Sequence, residues 1–478
     1  MPVLLWLRND LRINDHEALH EAAQGDAQVI PVYCVDPRHY RTTRWGVPKT
    51  GGFRARFLIE SLEDLRLSYQ DLGADLVIRH GPPEDVLPEL VRTYEARAVY
   101  AHQEVTSEEV EVEEAVAAAL RGTDASLRLF WGHTLYHPDD IPFGVSDVPN
   151  VFTPFRKRVE KKASVRKTFS APQALPALPE GLDPGALPTG TDLGVPLAET
   201  DERGVLPFKG GENAGLDRLD AYIWHGDHLK VYKETRNGLL GADYSSKFSA
   251  WLANGSLSPR LIYEDVKQYE AERTKNSSTY WMVFELIWRD FFRFVARKFG
   301  TRLFYQSGPM DRTIEWEQDD EAFERWAAGT TGIPFIDANM RELNATGFMS
   351  NRGRQNVASF LAKNLNLDWR RGAAYFEAQL VDYDVTSNWG NWAYNAGVGN
   401  DPRDRYFNIV SQAERYDPKG RYVKHWCPEL KALPDNRVHE PHQVSAADQA
   451  SYGVQIGTDY PAPMIDLEAS YREIRAAS

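Results

Sequence analysis

Five short apolar runs, separated by longer amphipathic stretches, fill the first 135 residues and restrict the possible fold more than any other feature. The runs cover residues 3–7, 29–35, 76–78, 98–101 and 127–130. Stretches with helical periodicity, such as residues 55–72 and 84–94, lie between them. Short strands that alternate with helices are typical of a parallel sheet covered by helices. The sequence therefore predicts an α/β domain over residues 1–135.

The turn after the first predicted strand argues against a nucleotide-dependent dehydrogenase. It reads LRNDLRINDHEAL and lacks the G-x-G-x-x-G pattern that lets a backbone approach a pyrophosphate. A chain of 478 residues is also too long for one ordinary core, so we expect two or three domains.

Composition and charge narrow the class of protein. No run of about eighteen apolar residues occurs, so we expect no membrane-spanning helix. The N-terminus becomes charged after seven residues, which predicts a strand and not a signal peptide. Only Cys34 and Cys427 are present, which favours a reducing, cytoplasmic location and argues against a metal site. A net charge of −14 disfavours nonspecific nucleic-acid binding over the whole surface but leaves open a local basic groove.

The rest of the chain divides into a connection and a second domain. Residues 136–203 lose periodicity and are rich in Pro, Gly and Ala, which predicts a long interdomain linker. Seven basic residues between Arg156 and Lys167 form either a solvated helix face or the edge of a phosphate-binding surface. Seven of the thirteen tryptophans lie between Trp281 and Trp392. This shift in composition marks residues 204–478 as a distinct, all-α domain.

Polar side chains near predicted helix starts are candidates for a ligand site. Ser245, Ser246 and Ser249 surround Lys247 where a helix begins, which suits a phosphate, although ordinary N-capping explains the serines equally well. On a later aromatic helix, Glu285 lies one turn before a tryptophan, so a carboxylate and an indole share a face. A buried carboxylate there needs a donor from the protein or from a ligand.

The segment 331–400 combines two predicted amphipathic helices with charged and aromatic side chains. Arg354 precedes the first predicted helix, Trp369 ends it, and the second is followed by Asp382, Asp384, Asn388, Trp389 and Trp392. This mixture suits a large, flat, polar aromatic ligand. The alternative is that the tryptophans simply fill a helical core.

These motifs in combination resemble the photolyase and cryptochrome family, most closely its DASH-type cryptochromes. The resemblance covers nearly the whole chain, through WLRNDLRINDHEAL, the serine–lysine loop, ELIWRDFF, TGIPFIDANMREL, NRGRQNVASFL, LDWRRG and RYFNIVSQAERYDPKGRYVKHWCPEL. It implies an N-terminal α/β, Rossmann-like domain joined by a long linker to an all-α domain that binds FAD.

The resemblance also implies roles for individual residues around the FAD. The cofactor would be held by Tyr232, Ser245, Ser246, Lys247, Phe248, Ser249, Arg354, Asp382, Asp384 and Asn388. Asn388 would face flavin N5 and favour a reduced flavin. Trp392, Trp369 and Trp316 match the tryptophan triad that carries an electron from the surface to the flavin, whereas core packing is the ordinary role of a tryptophan.

A lesion site follows from the same resemblance. Repair members bind a pyrimidine dimer that is flipped out of DNA, and the matching residues here are Glu285, Trp288, Arg289, Met349, Asn351, Arg352 and Tyr394. Tyr394 stands where common bacterial photolyases have a second tryptophan, which implies weak flipping from duplexes and repair chiefly in single strands. Ser350 and Asn351 replace the histidine region of (6-4) photolyases, so we do not expect (6-4) repair.

The resulting prediction is an enzyme. It is a DASH-type photolyase that repairs cyclobutane pyrimidine dimers, mainly in single-stranded DNA, by electron transfer from excited FADH−, as a cytoplasmic monomer. Gln103 and Glu104 match positions that hold the antenna 5,10-methenyltetrahydrofolate, the alternative being a solvated loop. A blue-light photoreceptor whose FAD is reduced through the triad is the competing hypothesis, and dark redox chemistry is a remote third.

Overall fold

A five-stranded parallel sheet organises the N-terminal part of the chain in this computed structural model, which describes residues 1–25, 27–401, 403 and 405–477. The strand order is β3-β2-β1-β4-β5. The strands are β1 (Val3–Leu7), β2 (Val29–Val35), β3 (Val77–His80), β4 (Ala98–His102) and β5 (Ser126–Phe130). Helices α1 (Glu17–Ala22), α2 (Gly52–Asp71), α3 (Pro83–Tyr94) and α4 (Ser107–Ala119) connect them. The predicted α/β class is confirmed.

The unbroken apolar run of β1 has a direct structural reason. Val3, Leu5 and Leu7 pack in one core with α1 and α2. Leu4 and Trp6 pack in a second core with α3 and α4. Because successive side chains of a strand point to opposite faces, a strand covered on both faces needs apolar residues at every position.

Helices form the rest of the fold, and the predicted all-α class is confirmed as well. Two helices, α5 (Phe152–Lys162) and α6 (Gly190–Leu193), lie in the predicted linker. Those that follow are α7 (Glu212–Asp220), α8 (Tyr232–Thr235), α9 (Ser249–Ala253), α10 (Pro259–Glu272), α11 (Ser277–Phe299), α12 (Asp320–Ala328), α13 (Pro334–Thr346), α14 (Asn351–Ser359), α15 (Trp369–Gln379), α16 (Val385–Ala396), α17 (Ile409–Tyr416), α18 (Arg421–Trp426), α19 (Ala446–Tyr452) and α20 (Leu467–Ala477).

The helix prediction for residues 331–400 was wrong in its boundaries. Four helices, α13 to α16, occupy the segment where two were expected. Arg354 lies inside α14 and not before it, and Trp369 begins α15 and does not end the preceding helix. The side chains of Ser350, Asp368 and Asp384 each accept a hydrogen bond from a backbone N–H of the first turn that follows. These three N-caps divide the segment into short helices.

Buried charges join the sheet to the helices. Asp290 on α11 accepts hydrogen bonds from the backbone N–H groups of Leu135 and Tyr136, at 2.9 Å each. Glu212 on α7 accepts from the backbone of Ile13 and Asn14, at 2.7 and 3.1 Å. Each carboxylate accepts hydrogen bonds from backbone N–H groups that follow a strand. These N–H groups would be costly to bury without a partner. These bonds fix α7 and the middle of α11 relative to the segments that follow β1 and β5.

The first linker helix packs against the helical core. Phe152, Phe155 and Val159 are buried along one side of α5, which contacts α11. The exposed side carries four basic residues, Lys157, Arg158, Lys161 and Lys162. The predicted linker is therefore ordered in its first half. Within the described part of the chain, every helix is too short or too polar to cross a bilayer.

Candidate functional site

A cavity of about 700 Å³ opens among the helices and collects most of the predicted site residues. Its walls come from α11, α14 and α16, the loop before α9, and the start of α5. Such a volume is typical of cofactor pockets. The predicted residues that line it are Tyr232, Ser245, Ser246, Lys247, Phe248, Ser249, Glu285, Trp288, Arg289, Met349, Asn351, Arg354, Asp382, Asp384, Asn388, Trp392 and Tyr394.

The serine–lysine loop forms one wall with an unusual backbone. Lys247 has φ +62°, in the left-handed region that residues other than glycine rarely adopt. Its ammonium donates to Ser245 Oγ at 2.9 Å and lies 3.0 Å from the centre of the Tyr244 ring. Burial lowers the pKa of Lys247 to about 6. A buried cation beside small hydroxyl groups fits an anionic ligand, since the anion would stabilise the charge.

Arg354 and Asp382 form an ion pair at the second wall. One guanidinium nitrogen of Arg354 donates to both carboxylate oxygens of Asp382, at 2.9 and 2.8 Å, and its Nε donates to the Met349 carbonyl. The Asp382 side chain is 2% exposed, whereas that of Arg354 is 25% exposed towards the cavity. The pair offers a fixed, planar hydrogen-bonding edge to a polar ring.

Asn388 and Asp384 lie one turn apart at the start of α16. Asp384 caps this helix through Ser387 N–H at 2.7 Å. Burial alone would raise the pKa of Asp384, but Arg289 and Arg293 hold it below the ordinary value. The Asn388 amide nitrogen donates one of its two hydrogens to the Ala373 carbonyl at 3.0 Å, and Oδ1 remains an acceptor on this cavity-lining residue.

The three predicted relay tryptophans differ in burial. Trp392 lines the cavity and is 2% exposed. It packs so tightly on α15 that a Cβ at Gly372 would lie 2.2 Å from the indole. Trp369 lies on α15 one turn before Gly372 and is fully buried. Trp316 is half-buried, and the neighbouring Glu317 bridges to the strand-like segment before α15. Trp392 thus lies at the cavity, Trp369 in the core and Trp316 at a half-buried position.

Glu285 is bound by two donors that the sequence reasoning missed. Its Oε1 accepts from the Arg236 guanidinium and from the Trp281 indole N–H, the latter at 3.1 Å. Burial raises the pKa of Glu285, and the two donors act in the opposite direction. Arg236 carries no sequence signal of its own, because it lies just after α8, 49 residues from Glu285 in the chain.

Trp288 is held in a rigid aromatic setting. Phe152 of α5 stacks on one face of the indole, with ring centres 3.6 Å apart and planes 8° from parallel. Tyr394 stands edge-on at 6.2 Å. The Tyr394 hydroxyl is in turn bound by Arg405 at 2.8 Å, which pairs with Asp401. Phe152 was also missed, although its spacing to Phe155 marks an apolar face of α5.

Two predicted DNA-binding residues do not have the expected placement. Arg289 lines the cavity, but its guanidinium donates to the carbonyls of His133 and Leu252 and is therefore engaged inside the protein. Arg352 lies outside the cavity lining and donates to Asn237 and Gln355. Both guanidinium groups donate hydrogen bonds to oxygens of the protein that would otherwise lack a donor. They therefore hold neighbouring segments in place more than they offer a free charge to DNA.

The predicted antenna residues lie at a different place, at the carboxyl end of β4. Glu104 is 2% exposed, pairs with Arg293 of α11 and accepts from the Asn9 amide at 3.1 Å. The alternative of a solvated loop carboxylate is therefore wrong for Glu104. Gln103 beside it is half-buried. The order of the sheet reverses between β1 and β4, where ligands of open parallel sheets commonly bind.

The sequence and the fold both match known proteins. Residues 3–180 match the family described as DNA photolyase, and residues 281–478 match the FAD binding domain of DNA photolyase. A cryptochrome DASH of Gloeobacter violaceus is 57% identical over 97% of this chain and 93% of the relative.

Solved structures agree with this result. A Synechocystis sp. cryptochrome superposes with a TM-score of 0.97 at 52% identity, over 100% of this chain and 99% of that one. A class III photolyase of Agrobacterium tumefaciens gives a TM-score of 0.86 at 30% identity, over 99% and 98%. Such similarity over whole chains exceeds what a shared fold alone produces. The protein therefore belongs to the photolyase and cryptochrome family, in its DASH cryptochrome group, as a photolyase-type flavoprotein.

Proposed function

We propose that the protein is a DNA photolyase that repairs cyclobutane pyrimidine dimers in blue light, mainly in single-stranded DNA. The observation that carries this proposal is that Glu285 and Trp288 share one cavity with the anion-binding loop and the Arg354–Asp382 pair. Reduced FAD, when bound, supplies the electron that splits the cyclobutane ring under light and then recovers it.

The proposed cofactor contacts follow from groups that the cavity leaves available. The loop at residues 245–249 would take the phosphates, where hydroxyls and the buried Lys247 ammonium favour negative charge. Arg354 and Asp382 would bind the polar edge of the isoalloxazine. Asn388 Oδ1 would accept a hydrogen bond from a protonated N5, while one amide N–H is bound to the Ala373 carbonyl. An acceptor there favours the reduced state.

The lesion contacts come from the opposite side of the same cavity. Glu285 would accept or donate a hydrogen bond at the pyrimidine ring, and Arg236 keeps the carboxylate oriented. Trp288 would stack on the dimer, a contact that contributes on the order of 1 to 3 kcal/mol per base. Phe152 stacks behind the indole and fixes its plane.

The preference for single strands rests on Tyr394. A tyrosine provides a smaller stacking face than a tryptophan, so it offsets less of the unpairing energy of a duplex. In a single strand that unpairing cost is absent. Since the whole chain carries a net charge of −14, binding depends on cations at the cavity such as Arg403. We expect the affinity for DNA to fall as salt rises.

A pair of tryptophan variants tests the proposal. Trp288→Leu should lower light-driven repair of a dimer in a single-stranded oligonucleotide by about tenfold at limiting DNA, while FAD absorbance per protein stays unchanged. Trp45→Leu, a change of the same kind in the N-terminal domain, should repair normally. Equal activity of both variants would contradict the assignment of Trp288, and loss of FAD from Trp288→Leu would make it a structural residue.

The second candidate function is a blue-light photoreceptor, and the placement of Trp392 at the cavity, Trp369 in the core and Trp316 at a half-buried position favours it equally. A photoreceptor needs photoreduction through these tryptophans but no dimer repair. Photoreducible FAD without repair of any dimer substrate would therefore favour the receptor.

We further propose that Gln103 and Glu104 hold a methenyltetrahydrofolate antenna and that the protein works as a cytoplasmic monomer. The buried, ion-paired Glu104 at the sheet reversal supports the antenna site, and two free, buried cysteines fit a reducing compartment. Adding the folate to the purified protein should produce near-ultraviolet absorbance that co-elutes with wild type and not with Glu104→Gln. A single monomeric peak in light scattering would support the monomer.

A further inference from the structure

An aromatic stripe leads away from the lesion cavity along α11. Trp281, Phe284 and Trp288 are spaced by three and four residues, so their side chains share one face of the helix. All three are half-buried. Phe284 stacks on Trp281 with ring centres 4.6 Å apart, and it contacts Phe152, which stacks on Trp288. The stripe is therefore continuous with the cavity.

Cations flank this stripe from two different elements. On the α8 side, Lys233 is exposed, and its ammonium lies 4.8 Å from the Trp281 ring centre, with the Arg236 guanidinium at 5.3 Å. On the α5 side, Arg156 lies 5.6 Å from the Phe284 ring centre, next to the exposed basic residues of that helix. Because Arg156 pairs with Glu160 and Arg236 pairs with Glu285, the net positive charge beside the stripe comes from Lys233 and from the exposed basic residues of α5.

We propose that Trp281 and Phe284 form a second subsite that binds the unpaired nucleotides adjoining the dimer on one side. The inference rests on the proposed repair function, and it assigns a binding place to the part of the single strand next to the dimer. Aromatic faces on which bases stack, bordered by cations that follow the phosphates, are the two parts of single-strand binding surfaces. A base would stack on the aromatic pair, and the flexible Lys233 side chain would move from the indole to a phosphate.

The length of the subsite follows from helix geometry. Seven residues separate Trp288 from Trp281, which corresponds to about 10 Å along the helix axis. Stacked nucleotides are spaced by about 3.4 Å, so the subsite holds roughly two to three nucleotides. In a duplex, the strand that reaches this stripe is paired, so its bases are not free to stack on the aromatic rings. The subsite therefore gives a second reason for a preference for single strands.

Oligonucleotides of graded length test the subsite. A dimer carrying zero to six extra nucleotides on one side only is bound in the dark, and the affinity is measured by fluorescence anisotropy. We expect a gain of about tenfold over the first two or three nucleotides on one side of the dimer and a smaller gain on the other. Replacing these flanking nucleotides by abasic ones keeps the phosphates and should abolish most of the gain.

Two variants localise the effect. Phe284→Leu should remove the length-dependent gain, and Lys233→Gln should lower the salt slope of binding by about one. Lys431→Gln, which changes an exposed lysine on another part of the surface, should do neither. A gain that is equal on both sides, or that abasic nucleotides retain, would overturn the subsite while repair of the shortest dimer substrate still supports the proposed function. Absence of repair with every substrate would overturn the proposed function and this inference with it.

Discussion

The substitution Arg354→Leu leaves the Asp382 carboxylate buried without its cation, and its cost can be worked out. The Asp382 side chain is 2% exposed and receives two hydrogen bonds from the same guanidinium. Removing one partner of a buried pair typically costs about 3 to 5 kcal/mol. We therefore predict a loss of about 3 to 5 kcal/mol in the free energy of unfolding at pH 7.

Urea unfolding of the FAD-free protein at pH 7 measures this loss. The matched control is Arg352→Leu on the same helix, whose guanidinium donates to amide oxygens and not to a carboxylate. It should cost about 1 kcal/mol. A loss below about 1 kcal/mol for Arg354→Leu would refute the argument.

Three further substitutions give separate tests. Trp392→Phe should stop photoreduction of oxidised FAD while prereduced protein still repairs a dimer, and equal loss of both would contradict the relay. Burial raises the pKa of Glu342 to about 8, so the folded state binds the extra proton and the free energy of unfolding falls as pH rises from about 4 to 8. Glu342→Gln should reduce this fall by about 3 kcal/mol between pH 5 and 7.5, which urea unfolding would measure. Arg405→Gln releases the Tyr394 hydroxyl and should weaken binding of a single-stranded dimer about threefold in anisotropy, whereas unchanged affinity would mean that Tyr394 needs no such support.

Local pattern predicted the sheet well because each strand carries its own signal. β1 and β2 were predicted to the residue, since strands covered on both faces are continuously apolar. The helices of residues 331–400 were harder, because Ser350, Asp368 and Asp384 act as caps only once their side chains meet particular backbone groups. The division at residues 135 and 203 stays a prediction, as do the roles of the site residues.

Long-range partners explain most of what the sequence did not reveal. Arg236 reaches Glu285 across 49 residues of chain, and Arg293 reaches Glu104 across 189. The hydrophobic periodicity of a short stretch of sequence gives no information about pairs so far apart in the chain. Glu104 was therefore left open between a ligand and a solvated carboxylate, although it is buried. Phe152 lies in a segment whose composition predicted a linker. The sequence around it therefore gave no indication that it stacks on Trp288.

One measurement tests the proposed repair of single strands most directly. Prereduced protein is mixed with a thymine-dimer oligonucleotide, either single-stranded or annealed to its complement, and repaired product is counted after equal blue-light doses. The cavity described above, with Trp288 and Tyr394 at its lesion side, predicts efficient repair of the single strand and little repair of the duplex. Equal repair of both would contradict the role given to Tyr394, and no repair of the single strand would contradict the proposed function itself.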